Sequence, residues 1–171
     1  MHRCLKPNVL EQNRYFLHGK FDQGLTVHDD YASFDYAPFS NAITTFCDAL
    51  QYHRSREDYE EMKGKIGSTV ATEKLLMDMI PALSDLISED LRKDSAEDAI
   101  KLIHGVAATG AGVRNQFQVA FRNLLRAICR PESPLVLFLD DVQWADVPSL
   151  DLLACLAQDA SWTNDCVYRS W

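Results

Sequence analysis

One run constrains the fold of this chain more than any other: Leu135 to Leu139, five apolar residues in succession, ended by Asp140 and Asp141 within LVLFLDDVQWAD. A strand wetted on one face alternates polar and apolar side chains, whereas a short unbroken apolar run suits a strand covered on both faces, as in a parallel sheet flanked by helices. Pro131 and Pro134 bracket a turn before it, and from Pro148 the stretch SLDLLACLAQ reads as a helix through Leu150, Leu153 and Ala157. The resulting order is strand, acidic pair, short loop, helix.

The rest of the chain supplies one more strand and several helices. Residues through Glu11 are weakly helical, and Tyr15, Phe16 and Leu17 form a short apolar run ended by Gly19, read as a buried strand. In PFSNAITTFCDAL, Phe39, Ile43, Phe46, Cys47 and Leu50 fall on one helix face, and Pro38 suits its first turn. Ser55 and Asp58 have the spacing of a capping box ahead of the charged SREDYEEMKGK, which predicts a solvated helix. Leu75, Leu76, Met79, Leu83 and Leu86 continue a helical core stripe that Pro81 breaks or restarts. Ser95 and Asp98 repeat the capping pattern before AIKLIHGVAA, where His104 reads as a packed core histidine, and Gly110 and Gly112 mark a stop. NQFQVAFRNLLRAIC then lines Phe117, Phe121, Leu124, Leu125 and Ile128 along one face. The class is α/β, helix-rich, with a parallel sheet covered by helices.

Composition narrows the function classes. A length of 171 residues with 47% hydrophobic content fits one globular core. Seventeen Lys plus Arg against 25 Asp plus Glu give a net charge of −8, which repels a polyanion unless the basic residues gather on one face, and they do not. Nucleic acid is therefore not an expected partner. Cys4, Cys47, Cys129, Cys155 and Cys166 lie far apart, without a C-x-x-C pair, which predicts reduced thiols inside a cell. The chain has no signal-peptide core and no stretch of 18 apolar residues, so a cytoplasmic protein without a membrane partner is expected.

Two carboxylates at the end of a buried strand have a plain use, closing the strand and starting a turn. They also have a chemical one. Carboxyl ends of parallel strands open onto the ligand crevice. An Asp there can hold a magnesium ion that bridges phosphate oxygens, and a second acid can orient or deprotonate an attacking water.

PLVLFLDDVQWAD, followed by SLDLL, resembles the second nucleotide-binding motif, the Walker B segment, of AAA-type ATPase domains related to those of origin-recognition proteins and the STAND signalling ATPases; QWAD is the specific part. YFLHGKFDQ, YAPFSNAI and RNQFQVAFRNLLRAI resemble successive upstream landmarks of the same family. The resemblance implies a partial P-loop NTPase fold over residues 1–160, with Asp140 as magnesium ligand and Asp141 as the catalytic, water-activating residue. It also implies a complete parent that uses ATP and Mg²⁺ as a conformational switch in a larger signalling protein, with other domains or proteins as partners.

The companion phosphate loop needs G-x-x-x-x-G-K-[ST], whose backbone N–H groups wrap the phosphates while its Lys reaches them. No window matches: Lys20 is followed by Phe21, and GKIGST at Gly64 lacks the spacing and a preceding buried strand. In the family, GKFDQ lies on or just after the strand that follows the helix descending from the loop. That places the loop upstream of Met1. The expectation is an ATPase fragment, inactive alone, with no cofactor-binding residue to assign and no tight hold on ATP or Mg²⁺; the alternative is a degenerate, non-catalytic interaction module. Beyond the Walker B helix the family has another buried strand, but SWTNDCVYRSW has no apolar run, and only Tyr168 and Arg169 resemble what usually follows. Residues 161–171 are expected to form a poorly ordered tail.

Overall fold

The computed structural model describes residues 15–23, 36–53, 55–71, 73–87, 110–130, 134–159 and 166–170. Two compact units emerge. Met1–His28, Asp35–Phe46 and Cys129–Trp171 belong to the first, and Asp29–Phe34 and Cys47–Ile128 to the second. Chain length suggested one core; instead the second unit is inserted, in sequence, between the strands of the first.

The first unit holds a parallel sheet of β1 (Tyr15–Lys20), β2 (Leu135–Asp140) and β3 (Cys166–Ser170), in that spatial order. Leu137, Phe138 and Leu139 are buried in succession, so β2 is covered on both faces, as its unbroken apolar run predicts. Each such side chain contributes about 2 kcal/mol by leaving water. β1 is longer than its apolar run suggests and alternates: Tyr15 and Leu17 are buried, Phe16 and His18 half-buried. Phe16 and His18 stack on Phe138, with centroids 6.3 and 5.6 Å apart.

Helix α1 (Ala37–His53) starts in the first unit and ends in the second. The expected stripe of Phe39, Ile43, Phe46, Cys47 and Leu50 is buried. Phe39 meets Phe21 edge-on at 6.1 Å and Phe46 meets Tyr15 at 5.2 Å, seating the first turns of α1 on β1. Gly19 makes that approach possible. A Cβ there would collide with the Pro38 carbonyl oxygen and come within 2.9 Å of its carbon and 3.0 Å of Leu139 Cδ2.

In the second unit α2 (Arg56–Val70) packs against α4 (Gly110–Ile128), while α3 (Lys74–Met79) leads into a 3-10 turn over Pro81–Leu86. Pro81 thus ends one helix and opens the next element. Ser55 caps α2, its Oγ accepting from the Asp58 N–H at 3.2 Å and donating to Asp58 Oδ2 at 2.8 Å. α2 is less solvated than its charges imply, because Met62, Ile66, Gly67 and Val70 are buried. A Cβ on Gly67 would lie 3.1 Å from the Leu86 carbonyl, so the bare backbone lets α2 approach the 3-10 turn. Gly110 and Gly112, read as a stop, instead form the first turn of α4. Backbone N–H groups in a first turn have no intrahelical partner, so glycine does less harm there than in a helix interior. The Phe117 to Ile128 face of α4 is buried as expected.

Further expectations change or fall elsewhere. The tail expected to be poorly ordered carries β3, which pairs with β2 from Leu135↔Cys166 to Leu139↔Ser170. Its residues are not a long apolar run, but the second edge of β2 presents N–H and C=O groups that need partners, and Cys-Val-Tyr has strand propensity. Cys129 is disulfide-bonded, against the expectation of reduced thiols throughout, while Cys47 and Cys155 are free. Sequence spacing says little about which sulfurs meet in space. The expectations for residues 1–11, for Ser95 and Asp98, and for His104 lie outside the described residues. No helix among the described residues is long and apolar enough to cross a membrane.

Candidate functional site

Asp140 is the last residue of β2, the middle strand, and stands opposite Lys20 at the end of β1. The Phe21 N–H donates to the Asp140 carbonyl at 3.1 Å, tying the two strand ends together. Asp141 then takes the left-handed conformation, φ 57° and ψ 38°, the only non-glycine with positive φ among the described residues. Aspartate enters this region more readily than most residues, although it remains a sparsely populated one that recurs at functional sites. This reversal swings the chain off the sheet into a 3-10 turn over Val142–Trp144, closed by the Trp144 N–H on the Asp141 carbonyl at 2.9 Å.

Asp146 caps the following helix, α5 (Val147–Gln158), its Oδ1 accepting from the Ser149 N–H at 2.9 Å, with Pro148 in the first turn. Hence QWAD has a mechanical meaning: Asp146 fixes where α5 begins, and Gln143 reaches back to the acidic pair. The helix buries Ser149, Leu152 and Leu156 instead of the expected Leu150, Leu153 and Ala157, and Leu150 is 45% exposed. Apolar residues occupy α5 on nearly every side, so periodicity alone left its phase open.

The carboxylates are held differently. Asp140 Oδ1 accepts from the Asp141 N–H at 3.0 Å, and among the described residues its Oδ2 has no hydrogen-bond partner. Asp141 is engaged at both oxygens. The Gln143 side-chain amide donates to Oδ1 at 3.1 Å and Lys20 Nζ lies 3.3 Å from Oδ2. Both sequence-predicted residues therefore sit together at the carboxyl end of the central strand. Lys20 and Gln143 are the two neighbours that sequence reasoning did not assign to them. Gln143 was findable, being two residues from Asp141; Lys20 was not, because its proximity depends on the register of β1 against β2.

Hard carboxylate oxygens beside a strand end suit Mg²⁺, which takes oxygen ligands and retains several waters. A phosphate cradle is another matter. Gly64 and the rest of GKIGST lie within α2, where the backbone N–H groups serve the helix, and the space over Gly19 is taken by Pro38. Neither glycine segment can wrap a phosphate.

A parallel sheet with acidic side chains at the carboxyl end of its central strand is the layout of α/β proteins that bind ligands at strand ends. The model of the AAA ATPase domain family matches residues 2–164, and the chain belongs to that family. Its fold is accordingly a helix-rich α/β, partial P-loop NTPase fold. No curated protein and no solved structure matches the chain.

Proposed function

We propose that Leu135–Asp146 is the Walker B segment of a regulatory ATPase site of the STAND or origin-recognition-related type, within a larger cytoplasmic signalling protein. Asp140 holds Mg²⁺ and Asp141 orients or deprotonates the attacking water. The observation that carries this reading is the position of both carboxylates at the carboxyl end of the middle strand of a parallel sheet. Mg²⁺, when bound, offsets phosphate charge. These residues fit the metal but not the phosphates, for which the described residues offer no backbone cradle. Positioning and electrostatic stabilisation of the phosphates supply nearly all catalysis in this chemistry, so the chain alone binds ATP weakly and does not turn it over. In the complete parent, nucleotide and other domains or proteins are the partners; nucleic acid and membranes are not.

The test is calorimetry and a turnover assay on the full chain. ATP with Mg²⁺ is expected to bind more weakly than about 1 mM, about 4 kcal/mol of binding free energy. Hydrolysis should match the buffer control. Micromolar binding, or turnover abolished by Asp141→Asn, would overturn the inactivity of the chain. One observation favours a second reading, a non-catalytic interaction module: Asp141 in its left-handed conformation also serves as the start of the 3-10 turn. On that reading Mn²⁺, a magnesium substitute visible by electron paramagnetic resonance, shows no binding that depends on Asp140.

A further inference from the structure

Lys20 brings a positive charge to a place where the proposed chemistry needs a metal. It ends β1 directly opposite Asp140, and its ammonium nitrogen lies 3.3 Å from Asp141 Oδ2. Its position is fixed at the backbone by the parallel register and by the Phe21 N–H bond to the Asp140 carbonyl. Lys20 is 54% exposed and Asp141 36%, and an ion pair so open to water adds little to stability. Its effect is on local charge. Two adjacent carboxylates repel each other, and in the absence of a metal an ammonium beside them supplies the missing counter-charge. A divalent cation approaching Asp140 then meets one of the two carboxylates already paired and a like charge nearby.

We propose that Lys20 is a built-in counter-ion of the Asp140–Asp141 pair that competes with a divalent cation and keeps the site from filling with free metal. This rests on the metal-binding reading given above. Lys20 is thus a positioning residue. It acts on the site through Asp141.

The test is a Mn²⁺ titration of the full chain, followed by electron paramagnetic resonance at about 20 mM ionic strength, where screening of exposed charges is weak. Lys20→Met and Lys20→Gln are expected to tighten Mn²⁺ binding about three- to tenfold, and Lys20→Arg, which keeps the charge, to stay within about twofold of wild type. Lys65→Met removes a lysine paired elsewhere, with Glu61 at 2.9 Å, and should change nothing. At about 0.5 M salt the gain should shrink. Melting curves check that each variant is folded, and the two neutral replacements guard against a defect peculiar to one. If Asp140→Asn abolishes binding but both neutral Lys20 variants bind as wild type does, the counter-ion role is overturned and the metal reading stands. Absence of Asp140-dependent binding in every protein overturns the metal reading and the counter-ion role with it.

Discussion

Asp140 and Leu137 lie on the same strand and should differ sharply in their tolerance of substitution. Leu137 is 2% exposed, in register with Leu17 of β1 and Tyr168 of β3. Leu137→Asp buries an unpaired carboxylate, which costs several kcal/mol against a total stability of about 5–15 kcal/mol, and is expected to unfold the chain. Asp140→Asn keeps the shape and removes one of two adjacent like charges, so its effect should stay within about 0.5 kcal/mol. Urea denaturation of both variants reads the contrast; a Leu137→Asp chain as stable as wild type would contradict the buried strand. Cys47 carries a pH dependence. Burial, then the charges of Asp48 and Asp85, push its thiol from 9.0 up to about 12. The folded state therefore prefers the neutral thiol: this contribution is intact below about pH 9 and is lost as pH rises towards 12. Calorimetric melts between about pH 8 and pH 11 should show an alkaline decline in Tm that is shallower in Cys47→Ala, even if the small cavity lowers its Tm at neutral pH.

Among the elements, β2 was legible and β3 was not, and the difference is physical. β2 must be hydrophobic on both sides, and that requirement is written into five consecutive residues from Leu135 to Leu139. β3 is defined by hydrogen bonding to an edge of β2, a requirement that leaves hardly any mark on side-chain pattern. Likewise the acidic pair could be placed, because it directly follows the run, whereas its neighbour Lys20 enters the site across a parallel pairing that joins distant parts of the chain. Helix α5 was legible as a helix but not in its buried face: Ser149 occupies a fully buried position that an apolar count would never choose. With β3 in place, deletion of residues 162–171 uncovers one side of β2 and should lower Tm by about 5 °C or more. A fall of no more than about one degree would show that the pairing of Cys166–Ser170 carries no stability.

For the molecule as a whole, family membership sets the frame and the acidic strand end supplies the chemistry to be tested. The two units differ in how their parts are joined. In the second, neighbouring helices are close in sequence apart from α4, whereas in the first Tyr15 pairs with Leu135 across the whole inserted unit. That connectivity has a consequence during synthesis. β1 leaves the ribosome long before β2 exists, and until then, among the described residues, the apolar side chains of Tyr15 and Leu17 have no strand to lie beside. The sheet is the part with the greatest loop-closure entropy to overcome, so its completion comes late and slowly. A nascent chain of this kind spends its longest vulnerable interval with one unpaired strand waiting for its partner, and that interval is when it is most open to aggregation or to capture by a chaperone.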